Sequence, residues 1–332
     1  MARTLATLGL SAAFLVSCGS KDTTLIKADG SSTVYPITEA VAEQFKKSNP
    51  KVNITVGISG TGGGFKKFCA GEIDLADASR PIKPTEEEAC KKSGVEYIEV
   101  PVAYDGIAIV VHPSNDWAKS ITTEELKKLW EPEAQGKIKK WSDVRAGWPD
   151  KEIHLFGAGV DSGTYDYFSE AITKKEKSTR GDYTSSEDDN VLVQGIANDP
   201  LALGFFGIAY FEENKERLKV VPVDDGKSDN GDGPITPTAT TVRDGTYQPL
   251  SRPIFIYLSK KSLERPEVMA LGKFYLAEAP KLVPEVGYVP LQPKAYELAT
   301  ARVEKKLTGS LFAGKGGQVG VSIEDVLEKG AQ

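Results

Sequence analysis

Strand-like and helix-like runs alternate along this chain, and three of the junctions between them have the same composition. At each junction a strand-like run is followed by serine, threonine and glycine and then by the start of a helix. The three segments are ADGSSTVYPITEAV (28–41), ISGTGGGFKKF (58–68) and GVDSGTYDYF (159–168). Regular alternation of strands and helices is typical of proteins in which helices cover a sheet. The sequence therefore predicts an α/β fold.

Local patterns also predict individual helices. A helix is expected at about 36–47, and another is expected after Phe65. The segment TTEELKKLW (122–130) predicts an amphipathic helix, because its leucines and its tryptophan share one face.

The three similar junctions indicate an anion-binding site. A helix N-terminus offers unpaired N–H groups and the positive end of a dipole, and hydroxyls beside it add neutral donors. The four glycines at 60 and 62–64 indicate an unusual backbone path or the close approach of a ligand. Each segment alone is also explained as a helix N-cap, which favours the same residue types. Three such segments in one α/β chain favour a shared oxyanion pocket.

Composition limits the possible partners. The chain has 332 residues, of which 40% are hydrophobic and 27% charged, so it is long enough for two folded domains. Its 41 basic and 47 acidic side chains give a formal charge of -6, which indicates neither a nucleic-acid nor an anionic membrane partner. An anion must therefore be bound by local geometry.

The N-terminus predicts export and a lipid anchor. Arg3 precedes a short apolar run (5–16) that ends in LVSC, which resembles a bacterial lipobox. We predict a signal peptide at 1–17, lipidation of Cys18, a linker at 18–24, and a location in the periplasm or at the cell surface. Plain secretion with cleavage elsewhere is the alternative. Membrane contact is expected through the anchor alone, since no segment reaches the roughly 20 apolar residues of a spanning helix.

The remaining cysteines, Cys69 and Cys90, form an even pair in an oxidising compartment, which predicts a disulfide. Two buried free thiols are the alternative. No metal or other cofactor is predicted, because the only histidines, His112 and His154, lie in strand-like stretches.

Enzymatic interpretations fit the sequence poorly. Neither GISGT nor VDSGT matches the G-x-S-x-G turn of serine hydrolases, and no histidine is close to either serine. No lysine follows the glycines at the spacing of a P-loop, and two histidines are too few for a metallophosphatase. The chain is predicted not to be an enzyme.

Five segments resemble, in order and at fitting spacing, the phosphate-binding protein of bacterial phosphate-specific ABC transporters. They are ADGSSTVYPITEAVAEQF, GISGTGGGFKKFCAGEIDLADASRPIK, ITTEELKKLWEPEAQGKIKKWSDV, GVDSGTYDYFSEAI and NDPLALGFFGIAYF. The resemblance covers about 25–211 and continues more weakly through SRPIFIYLSK.

The resemblance implies a two-lobed, type II periplasmic-binding fold whose lobes close over one phosphate ion. It implies a first lobe at 25–104 and 252–332 and a second at 105–251, with hinge segments near 103–105 and 247–253. It also implies partners, namely the permease and ATPase subunits of an ABC importer. We expect the protein to be a monomer.

The same resemblance implies which residues bind phosphate through hydroxyl and N–H groups. They come from three loops: Ser32, Thr33 and Val34; Ser59 and Thr61; and Ser162, Gly163 and Thr164. Lobe closure would bury the ion among these donors.

Two positions depart from the family pattern. The arginine that precedes the S-G-T motif in the family is Ala158 here, and the aspartate that follows its A-S motif is Arg80. We predict that Arg80 supplies the cation of the pocket, because a guanidinium offers paired and planar donors. A surface salt bridge is the alternative role.

The replaced aspartate leaves the acceptor for the ligand's proton open. A carboxylate that faces the ligand requires a proton there, and it rejects sulfate, which carries none near neutral pH. Asp161 is the best candidate because it is adjacent to Ser162, and Asp77 and Asp29 are weaker ones. Alternatively, Asp161 orients Arg80. Sulfate, molybdate or arsenate as the ligand, and phosphate scavenging without a transporter, stay open.

Overall fold

The computed structural model describes residues 24–160, 162–186, 188–312 and 323–330. The predicted signal peptide, the lipidation site Cys18 and the candidate acceptor Asp161 lie outside the described residues. Within the described ranges, no helix combines the length and the apolar character needed to cross a membrane.

Strands and helices alternate along most of the described chain. The strands are β1 (Thr24–Gly30), β2 (Val52–Ile58), β3 (Leu75–Ala78), β4 (Tyr97–Val111), β5 (Ile121–Thr122), β6 (His154–Ala158), β7 (Thr184–Ser186), β8 (Ala202–Gly207), β9 (Lys219–Val220), β10 (Val223–Asp224), β11 (Ser251–Ser259) and β12 (Val289–Pro290). The α-helices are α1 (Tyr35–Ser48), α2 (Gly60–Cys69), α3 (Pro84–Lys92), α4 (Thr123–Trp130), α5 (Trp141–Val144), α6 (Gly163–Thr173), α7 (Asp189–Ala197), α8 (Ile208–Glu213), α9 (Ala239–Arg243), α10 (Pro266–Glu285), α11 (Pro293–Glu304) and α12 (Ile323–Lys329).

Most of the strands form one sheet with the order β2-β1-β3-β11-β4-β8-β6-β7. The parallel strands β1, β2 and β3 lie on one side, and the parallel strands β6, β7 and β8 lie on the other. The long strand β4 connects the two groups, because its first part pairs with β11 and its last part with β8, both antiparallel. The predicted α/β fold is confirmed, with two groups of strands around one shared strand.

The composition of β4 explains its central position. Its 15 residues, YIEVPVAYDGIAIVV, are all buried, as expected for a strand that is covered on both faces. The same strand carries two buried carboxylates, Glu99 and Asp105. Since a buried charge needs a partner, other segments contact the strand at these two carboxylates: 310–312 at Glu99 and Arg252 of β11 at Asp105.

The predicted amphipathic helix is confirmed as α4, which buries Leu126, Leu129 and Trp130. The prediction that a helix starts after Phe65 is wrong, because α2 already begins at Gly60. Gly64 of this helix packs very closely on β1: a Cβ added there would lie 2.6 Å from the Cα of Gly30. The close approach to the strand therefore favours glycine at this position, despite its low helix propensity.

The predicted disulfide between Cys69 and Cys90 is present and joins the end of α2 to α3. Both cysteines are buried in the core beside the first group of strands. The bond therefore fixes the position of α2, whose N-terminal turn carries Thr61.

Reduction of this disulfide is expected to lower the free energy of unfolding by about 3 kcal/mol, because the bond closes a loop with a sequence separation of 21. Urea unfolding of the oxidised and the reduced protein measures the difference without any change of sequence. A thiol titration confirms complete reduction. An unchanged midpoint in the fully reduced protein would contradict a stabilising bond.

Candidate ligand-binding site

A cavity of about 390 Å³ lies beside the carboxyl ends of β1, β2 and β3. Ligands of open α/β sheets bind at this edge of the strands. The cavity is lined by Ser31, Ser32, Thr33, Ser59, Gly60, Thr61, Gly62, Gly63, Ser79, Arg80, Lys83, Asp166, Tyr167, Glu170, Glu176 and Arg252. Residues that are far apart in the sequence thus meet here. They come from the loops after three parallel strands, from α6 and from the start of β11.

The loop after β1 is built around Ser31. The N–H of Ser31 donates to the carbonyl of Asp77 at 2.9 Å, and its hydroxyl accepts the N–H of Thr33 at 3.2 Å. The hydroxyl of Thr33 donates to the carbonyl of Gly163 at 3.3 Å, which connects this loop to α6. Val34 does not line the cavity, and its N–H donates to the carbonyl of Ser31. The loop therefore presents Ser32 and Thr33 to the cavity.

The loop after β2 is held by Asp29. Both the N–H and the hydroxyl of Ser59 donate to its carboxylate, at 3.1 and 2.5 Å, and the ammonium of Lys67 donates to the same group. Burial opposes the ionisation of Asp29, but the hydrogen bonds from Lys67 and Ser59 outweigh it and lower the pKa. Asp29 is thus an ionised anchor for the loop, and it does not line the cavity.

Thr61 connects the second loop to the third. Its hydroxyl lies 3.0 Å from the hydroxyl of Ser79 and accepts the N–H of Ser79 at 3.2 Å. Because both residues line the cavity, two hydroxyls from different loops are fixed side by side at its wall.

Arg80 lines the cavity and also forms an ion pair. Its guanidinium donates two hydrogen bonds to the carboxylate of Glu86, at 2.8 and 2.9 Å, and lies 5.7 Å from the ring centre of Phe65. The salt bridge considered as an alternative is therefore present, although both side chains are largely buried. Much of the positive charge of Arg80 is balanced by Glu86.

The N-terminus of α6 packs against the loop after β1. Ser162 is the N-cap, and its hydroxyl accepts the N–H of Thr164 at 3.2 Å. A Cβ added at Gly163 would lie 2.5 Å from both the N and the Cα of Thr33. Ser162, Gly163 and Thr164 do not line the cavity, whereas the next turn of α6 does.

That turn contains Asp166, a carboxylate that the sequence analysis missed. It lies 3.4 Å from the hydroxyl of Ser32 and 3.7 Å from the ammonium of Lys177. Burial raises its pKa to about 6, with Lys177 acting in the opposite direction. The available signal was its position one helical turn after Ser162, which places it near the N-terminus of the same helix.

The third candidate carboxylate, Asp77, faces away from the cavity. Its side chain is fully buried below the loop after β1 and accepts a hydrogen bond from the hydroxyl of Thr38 at 2.7 Å. Burial raises the pKa of Asp77 to about 8. A group in this position contributes to the packing of the loop.

Arg252 is the second residue that the sequence analysis missed. One of its terminal nitrogens donates to the hydroxyl of Thr33 at 3.4 Å, and its guanidinium carbon lies 3.7 Å from the ring centre of Tyr167. The residue is at the start of β11, far in sequence from every loop of the cavity. The pairing of β11 with β4 and β3 brings it to the site.

The cavity combines neutral donors, the cationic side chains of Arg80, Lys83 and Arg252, and three carboxylates, of which Asp166 is the least exposed. Such a lining suits a small oxyanion with a proton. Among the described residues there is no group of three or more potential metal ligands. The fold has two groups of strands, β1–β3 and β6–β8. The polar cavity lies beside the first group and is also lined by α6, which follows β6 of the second group. This arrangement defines the class of two-lobed solute-binding proteins.

Comparisons with known proteins agree with this class. A family profile described as "PBP superfamily domain" matches residues 19–279. Protein SphX of Synechococcus elongatus is 51% identical over 96% of this chain and 92% of its own length. The phosphate-binding protein PstS of Staphylococcus haemolyticus is 39% identical over 82% of each chain. The crystal structure of a possible phosphate binding protein from Planctomyces limnophilus is 48% identical, covers 86% of this chain and 99% of its own, and has a TM-score of 0.80.

The chain therefore belongs to the PBP superfamily, and within it to the family that includes Protein SphX and the phosphate-binding protein PstS. The predicted type II periplasmic-binding fold is confirmed by these relatives.

Proposed function

We propose that the protein captures inorganic phosphate outside the cytoplasm and delivers it to an ABC importer. The observation that carries this proposal is the convergence of the loops after β1, β2 and β3, which bring serine and threonine hydroxyls and Arg80, with Arg252 on one cavity. Many fixed neutral donors with a guanidinium bind a tetrahedral oxyanion without any chemical step. The names of the relatives, phosphate-binding protein and possible phosphate binding protein, support phosphate as the ion.

In this proposal the hydroxyls of Ser32, Thr33 and Thr61 donate hydrogen bonds to the ion from the cavity wall, and Ser59 is oriented by Asp29. The N-terminus of α6, with Ser162, Gly163 and Thr164, is proposed to add donors from the other side of the cavity, where Gly163 lies against Thr33. The direct contact between Gly163 and Thr33 supports this arrangement.

Asp166 is the proposed acceptor of the ligand's proton. It lines the cavity, whereas Asp29 is neutralised by Lys67 and Asp77 is buried below the loop. A carboxylate that faces a bound oxyanion accepts a hydrogen bond only from a protonated ligand, and it therefore favours phosphate over sulfate.

We further propose that the lobes consist of 25–104 with 252–332, and of 105–251. Support comes from β4, whose partner changes from β11 to β8 between Gly106 and Ile107. The lobes then close by rotation about this crossing and the segment that enters β11. Because both lobes belong to one chain, the proposed closure needs no second copy, and we propose that the protein acts as a monomer.

Export and anchoring are proposed from the N-terminal pattern. The signal peptide (1–17) is removed, and Cys18 carries the lipid that holds the protein at the membrane surface. The chain 18–24 then links the anchor to β1. An anchored receptor stays near its permease, which raises the effective concentration of the loaded protein.

Delivery is tested by phosphate uptake in cells that lack the protein. Uptake at low external phosphate is expected to fall and to be restored by the full chain. If uptake is unchanged while the purified protein binds phosphate, the protein is a scavenger that works without this transporter.

A further inference from the structure

Arg252 occupies a special position, because it lies on one of the two strands that connect the lobes. In the sheet it is directly opposite Asp105 of β4. Its guanidinium reaches out of this crossing and contacts both sides of the cavity: the hydroxyl of Thr33 in the first loop, and the ring of Tyr167 and the carboxylate of Glu170 in α6. Among the described residues that line the cavity, it is the one that lies on β11.

The hydrogen-bonding groups of Arg252 are less engaged than those of Arg80. Arg80 donates two short hydrogen bonds to Glu86. The ion pairs of Arg252 with Asp105 and Glu170 are both 3.6 Å long, which exceeds hydrogen-bond length. Its Nε is buried 3.6 Å from Asp105, so the donors that remain for an anion are those of the terminal nitrogens, one of which lies 3.4 Å from the hydroxyl of Thr33. The guanidinium of Arg252 therefore retains donors for an anion.

Asp105 is arranged to position Arg252. Its side chain is only 2% exposed, and one of its oxygens has no hydrogen-bond partner among the described residues. A buried carboxylate is costly unless a cation compensates it, and the cation beside Asp105 is Arg252. On the other side, the guanidinium stacks on Tyr167, whose hydroxyl donates to the carbonyl of Pro249 at 2.7 Å. The plane and the direction of the guanidinium are thus fixed by two contacts.

We propose that Arg252, positioned by Asp105, is the cation that binds the phosphate ion and connects it to the segment about which the lobes close. This inference rests on the proposed function. An oxyanion bound by Arg252 is linked to the first lobe through Thr33, to the second through Tyr167, and to β4 through Asp105. Arg80 is then held by Glu86 as part of the cavity wall.

The first test is calorimetric titration of the mature protein and its variants with phosphate. Arg252→Gln is expected to weaken binding about 100-fold, because a charged donor to a desolvated anion is lost. Arg252→Lys is expected to weaken it about tenfold, because an ammonium lacks the planar pair of donors. The matched control is Arg217→Ala, an exposed arginine, which should bind as the wild type does. Wild-type affinity in Arg252→Gln would overturn the proposal.

The positioning role of Asp105 is tested by a double-mutant cycle. Asp105→Asn is expected to weaken phosphate binding about tenfold in the wild-type background and not at all in the Arg252→Gln background. Equal losses in both backgrounds would show that Asp105 acts on the fold and not through Arg252.

The double variant Asp105→Asn/Arg252→Gln also controls for folding. Arg252→Gln alone leaves a buried carboxylate without its cation, whereas the double variant replaces the pair by neutral groups of similar shape. We expect the double variant to melt near the wild-type temperature and still to bind phosphate about 100-fold more weakly. A well-folded double variant with wild-type affinity would refute the role of Arg252.

The same titrations separate this inference from the proposed function. If the wild-type protein does not bind phosphate, the proposed function fails. If the wild type binds tightly, Arg80→Ala causes the large loss and Arg252→Gln causes none, then phosphate capture stands and Arg80 is the cation, as the sequence analysis predicted.

Discussion

Gly163→Ala is expected to weaken phosphate binding about 100-fold, which corresponds to about 2.7 kcal/mol. The added Cβ would lie 2.5 Å from the N and the Cα of Thr33. These are backbone atoms that cannot rotate away, so α6 and the loop after β1 must separate. Overpacking of this kind costs about 1–3 kcal/mol, and here it moves donors on opposite sides of the cavity apart.

The effect is measured by calorimetry of the folded variant. Gly181→Ala is a matched control in the second lobe, because its Cβ would meet only the side-chain oxygen of Gln135, at an ordinary 3.6 Å. This control should keep wild-type affinity. If Gly163→Ala binds phosphate as tightly as the wild type, the contact between Gly163 and Thr33 is not part of the ligand-bound state.

Asp166→Asn is expected to raise the affinity for sulfate about 100-fold and to weaken phosphate binding. The wild-type carboxylate faces the ligand and repels an anion that has no proton, whereas an amide offers a donor in the same place. The raised pKa of about 6 adds a pH dependence. Asp166 is mostly ionised at pH 7.5 and mostly neutral at pH 5, so sulfate binding by the wild type should strengthen as the pH falls through 6.

Competition between sulfate and phosphate at pH 5 and pH 7.5 measures both effects. In Asp166→Asn the gain in sulfate affinity at low pH should be lost. Glu216→Gln is the control, because this carboxylate is exposed and does not line the cavity. Unchanged exclusion of sulfate by Asp166→Asn would assign the acceptor role to another group.

Sequence patterns predicted those parts of the molecule that depend on local order. The apolar face of α4 follows from the spacing of Leu126, Leu129 and Trp130, and the hydroxyls of Thr33 and Thr61 reach the cavity because loops at the carboxyl ends of parallel strands meet. The disulfide followed from an even pair of cysteines.

Other features depend on tertiary contacts that local patterns do not contain. Helix α2 starts at Gly60, earlier than helix propensity suggests, and its Gly64 lies too close to β1 for any side chain. Arg252 and Asp105 meet only through the register between β11 and β4. The predicted loops are also flanked by three aspartates whose side chains point in different directions. Asp29 binds Lys67, Asp77 is buried, and Asp166 faces the cavity.

Selective phosphate capture is tested most directly by calorimetric titration of the mature protein, freed of bound ligand, with phosphate and then with sulfate at pH 7.5. We expect tight binding of one phosphate ion per chain and no competition by an excess of sulfate. Equal binding of sulfate would show that the cavity recognises charge alone, and absence of phosphate binding would contradict the proposed function itself.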